Sequence, residues 1–189
     1  MTYLEVLTEI GAQLNDPDLQ TYKERIKPYF LTALISAIKS GEFTEADYAG
    51  WVKIDDDFDF SSNPADIESL DALEIKGLYP NPAVSEKMNI VEKTVSEISR
   101  IGRNIELSPG YEDLFWYRVG NSLYAVVGSP TIFDLANDDY HLQYIKDIDD
   151  SGWDDDTDFN TTAYSLSDRI LKTAITTAAA LMKSQIAGE

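Results

Sequence analysis

The sequence predicts an α+β protein: a helical bundle built from N- and C-terminal helices, with a β-rich insertion of hairpin or small-sheet size. Three observations predict it. Apolar residues recur every three or four positions near both ends of the 189-residue chain, as on the buried face of a helix. Apolar residues alternate singly in the middle. No repeat, low-complexity tract or Pro/Gly-rich linker separates the parts. The expectation is one domain, 1–189, with helical parts at about 1–50, 85–103 and 165–187 and β-rich parts at about 51–82 and 104–160.

The elements follow in order. Thr2 and Glu5 form a capping-box pattern, and Leu4, Leu7, Ile10 and Leu14 make one stripe, predicting a helix over 3–14. Asn15 to Asp18 reads as a turn. A second helix over 18–40 carries Leu19, Tyr22, Ile26, Tyr29, Phe30, Ala33, Leu34, Ala37 and Ile38. Pro28 should kink or restart it, lacking an N–H and crowding the preceding turn. Gly41 suits the helix stop, and Thr44 to Asp47 reads as the cap of a short third helix.

Val52, Ile54, Phe58 and Phe60 alternate around Asp55, Asp56 and Asp57; Leu73, Ile75 and Tyr79 alternate again, predicting short strands. Ser85 is expected to cap a helix over 85–102 bearing Met88, Val91, Val95 and Ile98 and closed by Gly102. Residues 114–119 and 122–128 around Gly120-Asn121 predict a hairpin with a two-residue turn. Residues 140–148 form another candidate strand. Ser165, with Asp168 three residues on, should open a last helix with Ile170, Ala174, Ala178, Leu181 and Met182 inward. Its alanines allow close approach of a neighbouring helix, and the long helices from the two ends are expected to pack together.

Composition bounds function. Acidic residues number 34 against 15 basic ones, a formal charge of −19. Such a surface repels phosphate backbones and anionic membranes, but accepts a basic protein partner or divalent cations. With no cysteine, thiolate catalysis, disulfides and cysteine-based zinc sites are excluded. The amino terminus has no basic region and carries Glu5 and Glu9 early, unlike a signal peptide, and no apolar run reaches the ~20 residues of a membrane span. The composition is that of a folded chain with enough surface to bury for a core.

His141 is the only histidine, so a triad would need it and a two-histidine metal site is impossible; a structural histidine is the expectation. No phosphate loop occurs, and Arg100, Arg103, Arg118 and Arg169 are scattered. Aspartates cluster three times: Asp55, Asp56, Asp57 and Asp59; Asp147, Asp149 and Asp150; Asp154, Asp155, Asp156 and Asp158. Paired carboxylates could hold Mg²⁺ or Ca²⁺ or do acid–base work, but a metal-dependent hydrolase would lack a general-base histidine and a basic substrate channel.

Residues 147–158 can be read as a twelve-residue calcium loop. Asp147, Asp149 and Ser151 stand at positions one, three and five, Gly152 at the sharp turn, the Trp153 carbonyl next, and Asp158 last. Asp154 replaces the usual aliphatic residue, Asp158 replaces a bidentate Glu, and the flanks do not read as two helices. The alternative is a solvated acidic loop. Trp51, Trp116 and Trp153 are core or interface anchors. Trp153, ringed by Asp154, Asp155 and Asp156, is the leading interface candidate, with Trp116 beside it in the set.

Four stretches together resemble the head-to-tail connector (portal adaptor, or head-completion) proteins of tailed bacteriophages. TYLEVLTEIGAQLNDPDLQTYKERIKPYFLTALISAIKSGEFTEADY is similar to their opening helices, and LFWYRVGNSLYAVVG to their central hairpin. YIKDIDDSGWDDDTDF is similar to the following acidic segment, and LSDRILKTAITTAAALMKSQIAGE to their last helix. The resemblance implies a non-enzymatic, cofactor-free virion protein assembled in the host cytoplasm. It implies a homo-oligomeric ring, a dodecamer in most members, with portal and with tail or stopper proteins as partners. Genomic DNA would pass through the lumen without specific binding. Residues 61–83 match nothing in that pattern.

Overall fold

A computed structural model describes residues 1–80, 89–101, 108–128, 135 and 140–188. Its helices and strands run α1 (Tyr3–Gln13), α2 (Lys23–Lys39), β1 (Val52–Phe58), β2 (Ala65–Asp66), β3 (Ala72–Pro80), β4 (Asn89–Glu92), α3 (Val95–Ile101), β5 (Asp113–Val119), β6 (Ser122–Val127), β7 (Tyr140–Lys146) and α4 (Asp168–Ile186). The chain divides into two compact units, Met1–Val52 with Ile148–Glu189, and Lys53–Asp147.

The first unit is helical. The expected capping box forms: the Glu5 N–H donates to Thr2 Oγ1 at 3.2 Å, and the Thr2 N–H donates to the Glu5 carboxylate at 2.7 Å. The buried face of α1 is Tyr3, Val6, Leu7, Ile10 and Gly11, so Leu4 falls outside it, exposed. The chain then turns too tightly for a side chain at Gly11, where a Cβ would stand 2.6 Å from the Asp16 carbonyl oxygen. The Asp16 carboxylate accepts the N–H groups of Gln20, Thr21 and Tyr22. A side chain that satisfies these donors holds a turn instead of a helix, which is why α2 starts at Lys23 and not at 18. The helix runs through Pro28 without restarting. Gly41 has the left-handed φ, +74°, expected after a helix end.

The long helices from the two ends do pack together. Both α1 and α2 contact α4, and Ala33, Ala37, Ala174 and Ala178 are all buried. Helix α4 begins later than expected. Ser165 has φ +45° and is no cap; Ser167 is, accepting the Ile170 N–H. Ser167 Oγ also donates to Asp47 Oδ1 at 2.6 Å, while Asp47 accepts the Thr44 N–H in the short turn over Glu45–Asp47.

The second unit overturns the expected bundle with a small β insertion. Among the described residues seven strands form two sheets, ordered β1-β7-β3 and β2-β6-β5-β4. Their inward residues make one core: Phe58, Ile75, Leu78, Tyr140 and Leu142 from the first sheet meet Ala65, Leu114, Trp116, Leu123 and Ala125 from the second. The β-rich part is a sizeable structure with its own apolar interior. The hairpin forms as expected, with Trp116 opposite Ala125 and Gly120 at φ +59° in the turn.

The described residues of the segment 85–103 do not supply the expected bundle helix. Asn89–Glu92 is a strand, paired in parallel with β5, and among the described residues of this segment the helix is Val95–Ile101. The Thr94 N–H donates to Glu97 at 2.7 Å and the Glu97 N–H to Thr94, so the helix starts there. The spacing of Val91, Val95 and Ile98 fits a helix, but Asn-Ile-Val-Glu equally fits a strand, and the neighbouring edge of β5 decides. Ser85, Met88 and Gly102 lie outside the described residues.

Asn63 completes the second sheet. Its Nδ2 donates to the Ala125 carbonyl at 2.7 Å and its Oδ1 accepts the Ala125 N–H at 3.1 Å, standing in for a strand just before β2. Asn63→Ala leaves both backbone groups of a buried residue unpaired. The expected loss is about 1–3 kcal/mol in urea unfolding monitored by circular dichroism; an unchanged midpoint would show that water replaces the amide at no cost.

Candidate binding surface

The acidic segment after β7 is pinned onto the helical unit. Trp153 is 7% exposed, with its ring centroid 4.9 Å from Phe159, 5.8 Å from Tyr3 and 6.0 Å from Phe30. Around it the backbone serves α1. The Tyr3 N–H donates to the Thr157 carbonyl at 2.8 Å and the Leu4 N–H to the Asp155 carbonyl at 3.2 Å. With Thr2 taking the Glu5 N–H, three of the first N–H groups of α1 are satisfied, two of them by this segment. Two lysines of α2 add charge pairing. Lys23 Nζ lies 3.1 Å from Asp155 Oδ2; Lys27 Nζ lies 3.4 Å from Asp150 Oδ2 and donates to the Asp150 carbonyl at 2.7 Å.

Trp153 therefore belongs to this chain's own core, although its neighbours in sequence are exposed. Asp154 ties the turn, accepting the Thr157 hydroxyl at 2.9 Å and the Asp156 N–H at 3.2 Å. Asp155 faces Lys23, and Asp156 is exposed. Trp116 is also buried, in the sheet core of the other unit. The predicted interface set is thus three surface carboxylates and two core indoles. Trp51 is buried edge-on to Tyr164. Lys23, Lys27 and Tyr3 were not singled out by sequence reasoning; the i, i+4 spacing of the lysines on one helix face was the available signal.

Tyr3, Leu7, Lys23, Glu24, Lys27 and Trp153 line a cleft of about 240 Å³. Burial, reinforced by Asp150, Asp155 and Glu24, pushes the Tyr3 phenol up to about 12. The Ser167 hydroxyl, with the Thr44 N–H, holds the Asp47 carboxyl below its ordinary value.

The calcium-loop reading finds no geometric support. Among the described residues no group of three or more His, Asp or Glu side chains is placed to hold a metal ion. Gly152, which would have to make the sharp turn, is not among the residues with a positive φ. Asp149 accepts the Ser151 N–H and Asp158 the Asn160 N–H, so both carboxylates fold back on their own backbone.

Asp55, Asp56 and Asp57 of the first aspartate cluster lie on β1, at the edge of the three-stranded sheet, and Asp59 follows the strand. His141 Nδ1 is 2.8 Å from Asp56 Oδ1, while the covered Nε2 has no hydrogen-bond partner. Ile54, Tyr79, Pro80, His141 and Gln143 line a second cleft of about 230 Å³. Arg118 bonds the carbonyls of Gly120 and Ala72, and Arg169 lies over the Phe43 ring.

No helix among the described residues is long and apolar enough to cross a membrane. Compared with protein-family models and with curated proteins, the chain matches none.

Trp153→Ala should destabilise the protein by about 3–5 kcal/mol in chemical unfolding, the cost of emptying a large aromatic site; a loss below 1 kcal/mol would mean the indole is not an anchor. A folded-state phenol raised above its unfolded value contributes stability that is complete below about pH 10 and is lost as pH rises towards 12. Tyr3→Phe should therefore flatten the fall in melting temperature across that window relative to the parent chain.

Proposed function

We propose that this chain is a virion structural protein, a ring-forming adaptor between the portal and the tail of a tailed phage. Its work is geometric, and no catalytic step is assigned to it. The portal, tail or stopper proteins and further copies of the chain are its partners, and genomic DNA passes without being held. The host cytoplasm is the place of assembly, and the head-to-tail junction of the virion its destination.

The observation that carries the reading is the fixed acidic segment. Asp155 and Asp156 are exposed on a loop whose centre, Trp153, is buried, in a chain of charge −19. Rigidly placed carboxylates repel phosphates and do not wrap around them, as a wall beside moving DNA requires. Two compact units also suit a subunit that must present more than one rigid face.

A ring of identical subunits needs a head-to-tail contact that closes on itself. Copies bearing −19 repel one another, so association should strengthen as salt screens them. Mass measurement of the chain, alone and mixed with portal assemblies at low and high salt, tests both points. Rings alone or on the portal, more abundant at high salt, are expected. A strict monomer that never binds portal assemblies at any salt would overturn the proposal.

A further inference from the structure

We infer that the exposed face and free edge of the three-stranded sheet form a docking site for an extended, lysine- or arginine-bearing segment of a different, basic protein. This does not depend on the ring reading. Four features converge. In the order β1-β7-β3, β1 is an edge strand, and among the described residues no strand pairs with its outer side. Ile54 on β1 and Tyr79 on β3 are large apolar residues left 59% and 49% exposed. They and Pro80 stand over His141 and Gln143 of the middle strand, lining a cleft of about 230 Å³. Tyr79 is opposite His141 and Gly77 opposite Gln143 in the register, so the cleft crosses β7 from one edge strand to the other.

Charge selects the occupant. Asp55, Asp56 and Asp57 sit in succession on β1. Charged residues on an edge discourage pairing with another edge of like sign. That argues against a second copy of this chain, which has 34 acidic and 15 basic residues. A cationic segment meets no such barrier. Its apolar positions fill the cleft between Ile54 and Tyr79. A lysine or arginine reaches the Asp56 carboxylate, which remains 69% exposed while holding His141, and can lie against the Tyr79 ring.

The test uses the full chain, ¹⁵N-labelled, with a blocked hexapeptide of alternating lysine and valine as the probe. The expected result is chemical-shift change centred on Ile54, Tyr79 and His141, weakening at least tenfold from 50 to 500 mM salt. Asp56→Lys and Ile54→Lys, both at exposed positions that should leave folding intact, should each weaken binding at least tenfold. Four results would overturn the inference: no shifts at millimolar peptide, shifts elsewhere, equal binding of the glutamate–valine hexapeptide, or undiminished binding by both variants. Self-association that Ile54→Lys abolishes would assign the face to a second copy and equally overturn it.

Discussion

The helical unit depends on one contact: the Trp153 indole wedged among Tyr3, Phe30 and Phe159. An eleven-residue helix such as α1 is marginal alone, because nucleation is costly and its first N–H groups lack partners. Residues near the other end of the sequence supply two of those partners from Asp155 and Thr157. The buried indole just before them in the chain anchors the segment that carries them. The ion pairs of Lys23 and Lys27 with the same segment are partly exposed and secondary, since such pairs add at most about 1 kcal/mol. Apolar burial fixes the loop, and charge orients its rim.

What could be read in the sequence was what is locally encoded. The capping box at Thr2 and Glu5, the hairpin around Gly120 and the alanine-lined last helix each carry their instructions within a few residues. Starts and stops shifted where a side chain competed with the helix, as Asp16 does before α2 and as the Ser167–Asp47 hydrogen bond does before α4. The size of the sheet region was not legible. Its shortest strands hold two and four residues, too few for a period. One is extended by the Asn63 side chain, and the other pairs in parallel with a strand some twenty residues on.

The candidate surface was less legible than the fold, for a related reason. Trp153 was expected to anchor an interface because its neighbours are aspartates, and it is buried within this chain. In a tight turn, successive side chains point in different directions, so a run of charge says little about the residue inside it. Asp154 spends its carboxylate on Thr157 and Asp156 N–H, and this self-bonding both sharpens the turn and turns the indole inward. The cleft on the three-stranded sheet has the opposite origin. Ile54 and Tyr79 are ordinary members of alternating strands, and only the order β1-β7-β3 brings them to the two sides of β7.

The two acidic regions differ in what their carboxylates do, and that difference argues for different roles. Asp150, Asp154 and Asp155 are largely engaged within the chain, by Lys27, Thr157 and Lys23. Such charges contribute a fixed field but offer little to a partner, since a new contact would first have to displace an old one. On β1, Asp56 has the His141 ring as its neighbour and remains mostly exposed, beside uncovered apolar side chains. Desolvating a carboxylate is least costly where a cation replaces the water and adjacent apolar area is buried in the same step. By that criterion the loop is suited to repel and the sheet face to dock.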